Sequence, residues 1–213
     1  NSSRIATQLK HFSNDYPFVA IIGPYSSQKA HTAAELCAKS GKTLILPIAT
    51  SAEVQRIYAN VNNIWNLTQS DISQCELMLS QAILSESWNV SLIASDDDYG
   101  KSFSDWFAYQ AEELGINVKD ILICSSESEV KSAANTVASN FKYGDHLLLA
   151  LSQERFAIAF DEEIGALKEK SSNFKFPLVL CSDIMNSPNL SGRLKNLTYE
   201  GLSPCASPSS GFS

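Results

Sequence analysis

A chain of 213 residues, 44% of them hydrophobic, has room for one large domain or two smaller lobes. Its 23 acidic and 16 basic residues leave a net charge of -7, without the clustered Lys and Arg that a nucleic-acid surface needs. No run reaches the roughly 18 apolar residues of a membrane-spanning helix, and Cys37, Cys75, Cys124, Cys181 and Cys205 lack the CxxC or Cys/His spacing of a zinc site.

Short apolar runs alternate with longer amphipathic stretches along the chain. Phe18 to Ile22 is too short for a helix and is closed by Gly23-Pro24, so it reads as a strand. Ser27 to Ser40 places Ala30, Ala33, Ala34, Leu36 and Cys37 at helical spacing, with Gly41 where a C-terminal cap belongs. Thr43 to Leu46 is a strand stopped by Pro47, Ser51 to Tyr58 a short helix and Ile64 to Leu67 a short strand. A helix over Asp71 to Ser85 follows, then a strand over Val90 to Ala94 and a helix over Ser102 to Leu114. The alternation continues with a strand at Val118 to Cys124, a helix at Val130 to Phe141 and a strand at Leu147 to Leu151. A helix from Glu154 to Lys170 and a strand from Phe176 to Cys181 complete it; beyond Asn186 the chain turns rich in Ser, Pro and Gly.

The strands read as continuous apolar runs, as expected where helices cover both faces of a parallel sheet. Repeated β-α units with short connections predict an α/β fold. Right-handed crossovers put the strand-to-helix turns on one sheet edge, where ligands of such folds bind. Those turns hold the candidate site. Tyr25, Ser26 and Ser27 follow the first strand and run into a helix start, whose free N–H groups and dipole suit an anion; alternatively Ser26 or Ser27 only caps the helix. Ile48, Ala49 and Thr50 form a second turn of the same kind. In Ser95-Asp-Asp-Asp-Tyr-Gly-Lys101, three aspartates lack the glycine and distal glutamate of a calcium loop and read as helix-start charges, leaving Tyr99 to offer a ring and a hydroxyl. Ser152 lies in the fourth turn, and Asp183 in the fifth could meet a ligand ammonium or only cap a helix.

Phosphate-loop, dinucleotide and nucleophile-elbow motifs are missing, and His11, His31 and His146 all lie outside the strand-to-helix turns. A non-catalytic binder without metal or cofactor is therefore expected. Two alternatives stand beside it: an α/β hydrolase or transferase using Ser27 and Asp183, and an interaction module that kept the fold and lost the pocket. Five N-x-[ST] sequons, at Asn1, Asn66, Asn89, Asn189 and Asn196, are compatible with an extracytoplasmic chain without requiring one.

Val19-Ala-Ile-Ile-Gly-Pro-Tyr-Ser-Ser27, Leu46-Pro-Ile-Ala-Thr-Ser51 and Ser95-Asp-Asp-Asp-Tyr-Gly-Lys-Ser102 resemble, in order and separation, the type 1 periplasmic-binding-protein family. That family includes leucine/isoleucine/valine-binding proteins and receptor ligand-binding regions. The resemblance implies two lobes, each a mostly parallel sheet flanked by helices, that close on a small amino-acid-like or carboxylate ligand for uptake or sensing. It puts residues 1–68 in the first lobe, 69–195 in the second and 196–213 in a return crossing and tail. It implies that Ser27 and Thr50 take the ligand carboxylate, that the Ile48 carbonyl and Thr50 help hold an ammonium, that Tyr99 closes over the ligand and that Asp183 neutralises its positive charge. Ser152-Gln153 stands where some amino-acid binders offer an aromatic. A transporter or receptor partner and a periplasmic or cell-surface location are likewise implied. Relative to the family, a β-α-β opening and later β-α units are absent from this sequence, so the first lobe is expected to be incomplete, with three strands and uncovered apolar surface.

Overall fold

The computed structural model describes Arg4, Thr7, Gln8, His11, residues 20–171 and residues 174–201, less the side chains of Met185 and Asn186. The chain divides in sequence between Asp71 and Ile72 into two compact units.

In the first unit, strands β1 (Ala20–Ile22), β2 (Thr43–Leu46) and β3 (Ile64–Asn66) form a parallel sheet in the order β1-β2-β3. Helix α1 (Ser27–Ser40) joins β1 to β2, and the short α2 (Ala52–Ile57) precedes β3. The small residues Ala30, Ala33, Ala34 and Cys37 line one face of α1 and pack with Leu44, Leu46 and Ile64. Gly41 ends the helix at φ 68, a left-handed conformation that glycine adopts without Cβ strain. On the other face, Ile22, Ile45 and Trp65 share one row of the register. Ile22 is 72% exposed, Trp65 58% and Leu67 66%, so this face presents the uncovered apolar surface that the three-strand reading anticipates.

The second unit is a five-stranded, all-parallel sheet in the order β5-β4-β6-β7-β8. Its strands are β4 (Asn89–Ser95), β5 (Asn117–Cys124), β6 (Asp145–Ala150), β7 (Leu178–Cys181) and β8 (Tyr199–Gly201). The helices are α3 (Asp71–Leu84), α4 (Asp98–Glu113), α5 (Glu127–Asn140) and α6 (Glu154–Lys170). Strand alternation divides the apolar residues between two cores. Val90, Leu92, Ala94, Leu148 and Ala150 pack with Met78 and Leu79 of α3 and Phe103 and Phe107 of α4. Ile93, Leu147, Leu149, Val179 and Cys181 pack with Val130 and Val137 of α5 and Phe156 and Phe160 of α6. Central strands buried on both faces carry apolar residues at consecutive positions, which is why β6 reads as an unbroken run.

Several boundaries move from their predicted places. Helix α4 starts at Asp98 rather than Ser102, because Asp97 caps it by accepting from the Gly100 N–H at 3.0 Å. Asp96 pairs with Lys101 at 2.6 Å, so the aspartate run is spent on a helix start. Helix α5 starts at Glu127 rather than Val130: the Ser126 hydroxyl accepts from Glu129 N, and the Glu129 carboxylate accepts from Ser125 N at 2.7 Å. Tyr199–Gly201, the start of the segment read as a return crossing, is an edge strand paired parallel to β7. The buried Asp161 of α6 holds the segment before it, accepting from the backbone N–H groups of Lys195 and Asn196 at 3.0 Å each and from the Tyr199 hydroxyl at 2.5 Å. The expected strand residues Phe18 and Val19, the sequon at Asn1 and Cys205 lie outside the described residues.

Candidate functional site

In the second sheet β4 lies between β5 and β6, and the chain reverses direction across the sheet at the β4–β6 junction. Helix α4, leaving β4, packs on one face, while α6, leaving β6, packs on the other. Turns that part in this way open a crevice outside the carboxyl ends of the strands. Both turns were singled out in the sequence.

Polar groups of the two turns meet directly. The Ser95 hydroxyl, at the end of β4, accepts from the Ser152 N–H at 2.9 Å, and the Ser152 hydroxyl donates to the Asp97 carboxylate. Tyr99, in the first turn of α4, is 8% exposed and sets its ring against Phe103, with centroids 6.1 Å apart. Its hydroxyl donates to Asp183 Oδ1 over a long 3.4 Å. Asp183 opens a 3-10 turn (Asp183–Asn186) directly after β7. Burial pushes its carboxyl above the ordinary aspartate range, opposed by the Tyr99 hydroxyl and the N–H groups of Asp183 and Ile184. Among the described residues, no cation figures in the groups that shift it. Beside it, the Ser182 hydroxyl is fully buried and has no hydrogen-bond partner among the described residues.

The first unit's turns lie at the carboxyl ends of β1 and β2. Ser26 is the N-cap residue of α1, with its carbonyl accepting from Ala30 N at 2.8 Å, yet its side chain makes no capping bond. Ser27 is buried at the first helical position. In the second turn Ala49, Thr50 and Ser51 are buried, and the Ser51 side chain leaves the start of α2 uncapped. Two carbonyls of this turn are engaged, Ala49 accepting from the Thr68 hydroxyl at 3.2 Å and Thr50 from Asp71 N at 2.9 Å. Tyr25 and Ile48 are exposed, as is Ser26.

Of the residues marked in the sequence, the structure thus gathers Tyr99, Ser152 and Asp183 at one edge of the second sheet, and Tyr25, Ser26, Ser27, Ile48, Ala49 and Thr50 at the corresponding edge of the first. Ser95, Asp97 and Ser182 were not singled out as site residues. The signal for Ser95 and Ser182 is their place, one at the last residue of an apolar strand and one immediately after it.

The sequence profile of the receptor family ligand-binding region matches residues 2–162, which spans the turns of the first unit and those around Tyr99 and Ser152. No curated protein matches the chain. Ordered parallel sheets and a profile match over most of the length agree: the chain belongs to the receptor family ligand-binding region, a family of the type 1 periplasmic-binding-protein-like fold.

Proposed function

We propose that this chain binds a small zwitterionic solute, an amino acid or a close analogue, and does so without turnover. The observation that carries the reading is Asp183. A half-buried carboxylate at the ligand edge, raised by desolvation and met by a long Tyr99 hydrogen bond and the N–H groups of Asp183 and Ile184 but by no cation among the described residues, is unfavourable when charged. A ligand ammonium would supply the missing countercharge and a charge-assisted hydrogen bond. The hydroxyls of Ser26, Ser27 and Thr50, and the uncapped start of α1, suit the ligand's carboxylate. In this reading Ser152 contributes through the Asp97 and Ser95 network, and the Tyr99 ring covers the ligand. We further propose that the module works outside the cytoplasm, handing its solute to a membrane transporter or reporting it through a receptor partner.

The test is a thermal-shift screen of the purified chain against the proteinogenic amino acids and their decarboxylated and deaminated analogues. Ligand that binds only the folded state raises Tm as RT ln(1 + [L]/Kd). The expected result is a concentration-dependent rise with at least one zwitterion, reduced with its deaminated analogue and lost in Asp183→Asn. A chain whose Tm responds to none of them, or responds equally in Asp183→Asn, contradicts the proposal.

A further inference from the structure

The polar groups at the carboxyl edge of the second sheet have a fixed hydrogen-bond sense. The Ser152 N–H is spent on the Ser95 hydroxyl at 2.9 Å, and the Ser152 hydroxyl donates to the Asp97 carboxylate. A hydroxyl has one proton and two lone pairs, so Ser152 keeps only acceptor capacity. The Tyr99 hydroxyl commits its proton to Asp183 Oδ1 at 3.4 Å. Asp183, when ionised, only accepts.

Backbone donors around these side chains are committed as well. Asp96 N bonds Cys124 O at 2.8 Å, Gly100 N bonds Asp97 Oδ1 at 3.0 Å and Ser182 N bonds Leu149 O at 3.0 Å. The cations in the first turns of α4 and α6 are engaged by their neighbours, Lys101 Nζ by Asp96 at 2.6 Å and Arg155 Nε by the Gln153 side chain at 2.8 Å. Acidic residues stand in the first turns of α4, α5 and α6 and offset the positive ends of those helices.

Asp97 decides the sense of Ser152. One of its oxygens caps α4 and the other takes the Ser152 proton. If the second role is removed and the first kept, the Ser152 hydroxyl can turn its proton toward a ligand. Asp97 does this without touching the solute.

We infer that Asp97 is a positioning residue that sets specificity: by holding the Ser152 proton it makes this edge a surface of acceptors, so the solute must bring hydrogen-bond donors in its side chain as well as its ammonium. The inference rests on the proposed binding of a zwitterion here and narrows it to amino acids with amide, hydroxyl or cationic side chains. A side-chain carboxylate, or an ester or ether that only accepts, sets acceptor against acceptor and binds poorly.

The test is calorimetric measurement of Kd for pairs of zwitterions equal in charge and close in size: asparagine with aspartate β-methyl ester, glutamine with glutamate γ-methyl ester, and serine with O-methylserine. Aspartate and leucine complete the set. The expected result is that the donor member of at least one pair binds about tenfold tighter than its partner, than aspartate and than leucine. Asp97→Asn is the critical variant. Its oxygen keeps the Gly100 cap, while its amide donates to Ser152 and turns the hydroxyl proton outward. In it the ratio within the pair should fall by about threefold or more, with the urea midpoint little changed. An Asp97 with a structural role alone would alter all the affinities together and leave the ratio as it was. Ser152→Ala removes the hydroxyl and leaves the cap; it should lower the ratio too, and it serves if Asp97→Asn does not fold. Pair members that bind alike, leucine binding best, or an unchanged ratio in the folded variants overturns the inference and leaves the amino-acid reading standing. Binding of no zwitterion overturns both.

Discussion

Gly100 sits where α4 passes closest to β4. A Cβ there would lie 2.0 Å from the Ser95 carbonyl oxygen and 2.7 Å from Ser95 N, both backbone atoms that cannot step aside. Gly100→Ala is therefore expected to lower stability by about 1–3 kcal/mol, the usual cost of forcing volume into a packed site, read as a fall in the urea midpoint. The same shift would displace Tyr99, so ligand affinity should fall with it. Asp183 carries a pH prediction. Its carboxyl is raised in the fold by burial, so protonation relieves a folded-state penalty and this group favours stability as pH falls. Binding of an ammonium moves the other way, because it needs the charged form. Affinity measured by calorimetry should decline on acidification before an ordinary aspartate, with pKa about 3.9, would titrate.

At the scale of elements, α6 anchors the stretch that ends in β8. Asp161 accepts from Lys195 N, Asn196 N, the Asn196 side chain and the Tyr199 hydroxyl. Asp161→Ala would strand these buried donors and should cost about 3 kcal/mol or more, with protease cleavage appearing between residues 190 and 201. That anchoring also explains why β8 was not legible in the sequence. Tyr199-Glu-Gly201 has no apolar run of its own, and its pairing depends on a carboxylate 38 positions earlier. By contrast β2 and α1 were legible to the residue, because apolar spacing and Pro47 or Gly41 mark their ends locally. The starts of α4 and α5 were placed late because polar caps, rather than apolar periodicity, set them.

At the scale of the molecule, the two sheets differ in cover. The second is packed on both faces, whereas Ile22, Trp65 and Leu67 leave one face of the first exposed. An apolar dye such as anilinonaphthalene sulfonate is expected to bind there, and Trp65→Thr should weaken that binding while moving stability by no more than about 0.5 kcal/mol, as for other exposed positions. The candidate site was legible to the extent that topology alone fixes it: strands in parallel order send Tyr99, Ser152 and Asp183 to one edge whatever their side chains do. The bond from Ser152 to Asp97 was not, because it depends on the distance between turns far apart in sequence. The most direct measurement of the central claim is residue-by-residue mapping of amide shifts as the zwitterion found in the thermal screen is titrated to saturation. The account predicts that the moving signals cluster at Ser27 and Thr50 in the first unit and at Ser95, Tyr99, Ser152 and Asp183 in the second. Shifts that leave Tyr99 and Asp183 untouched, or that centre on helix surfaces away from the carboxyl ends of the strands, would contradict it.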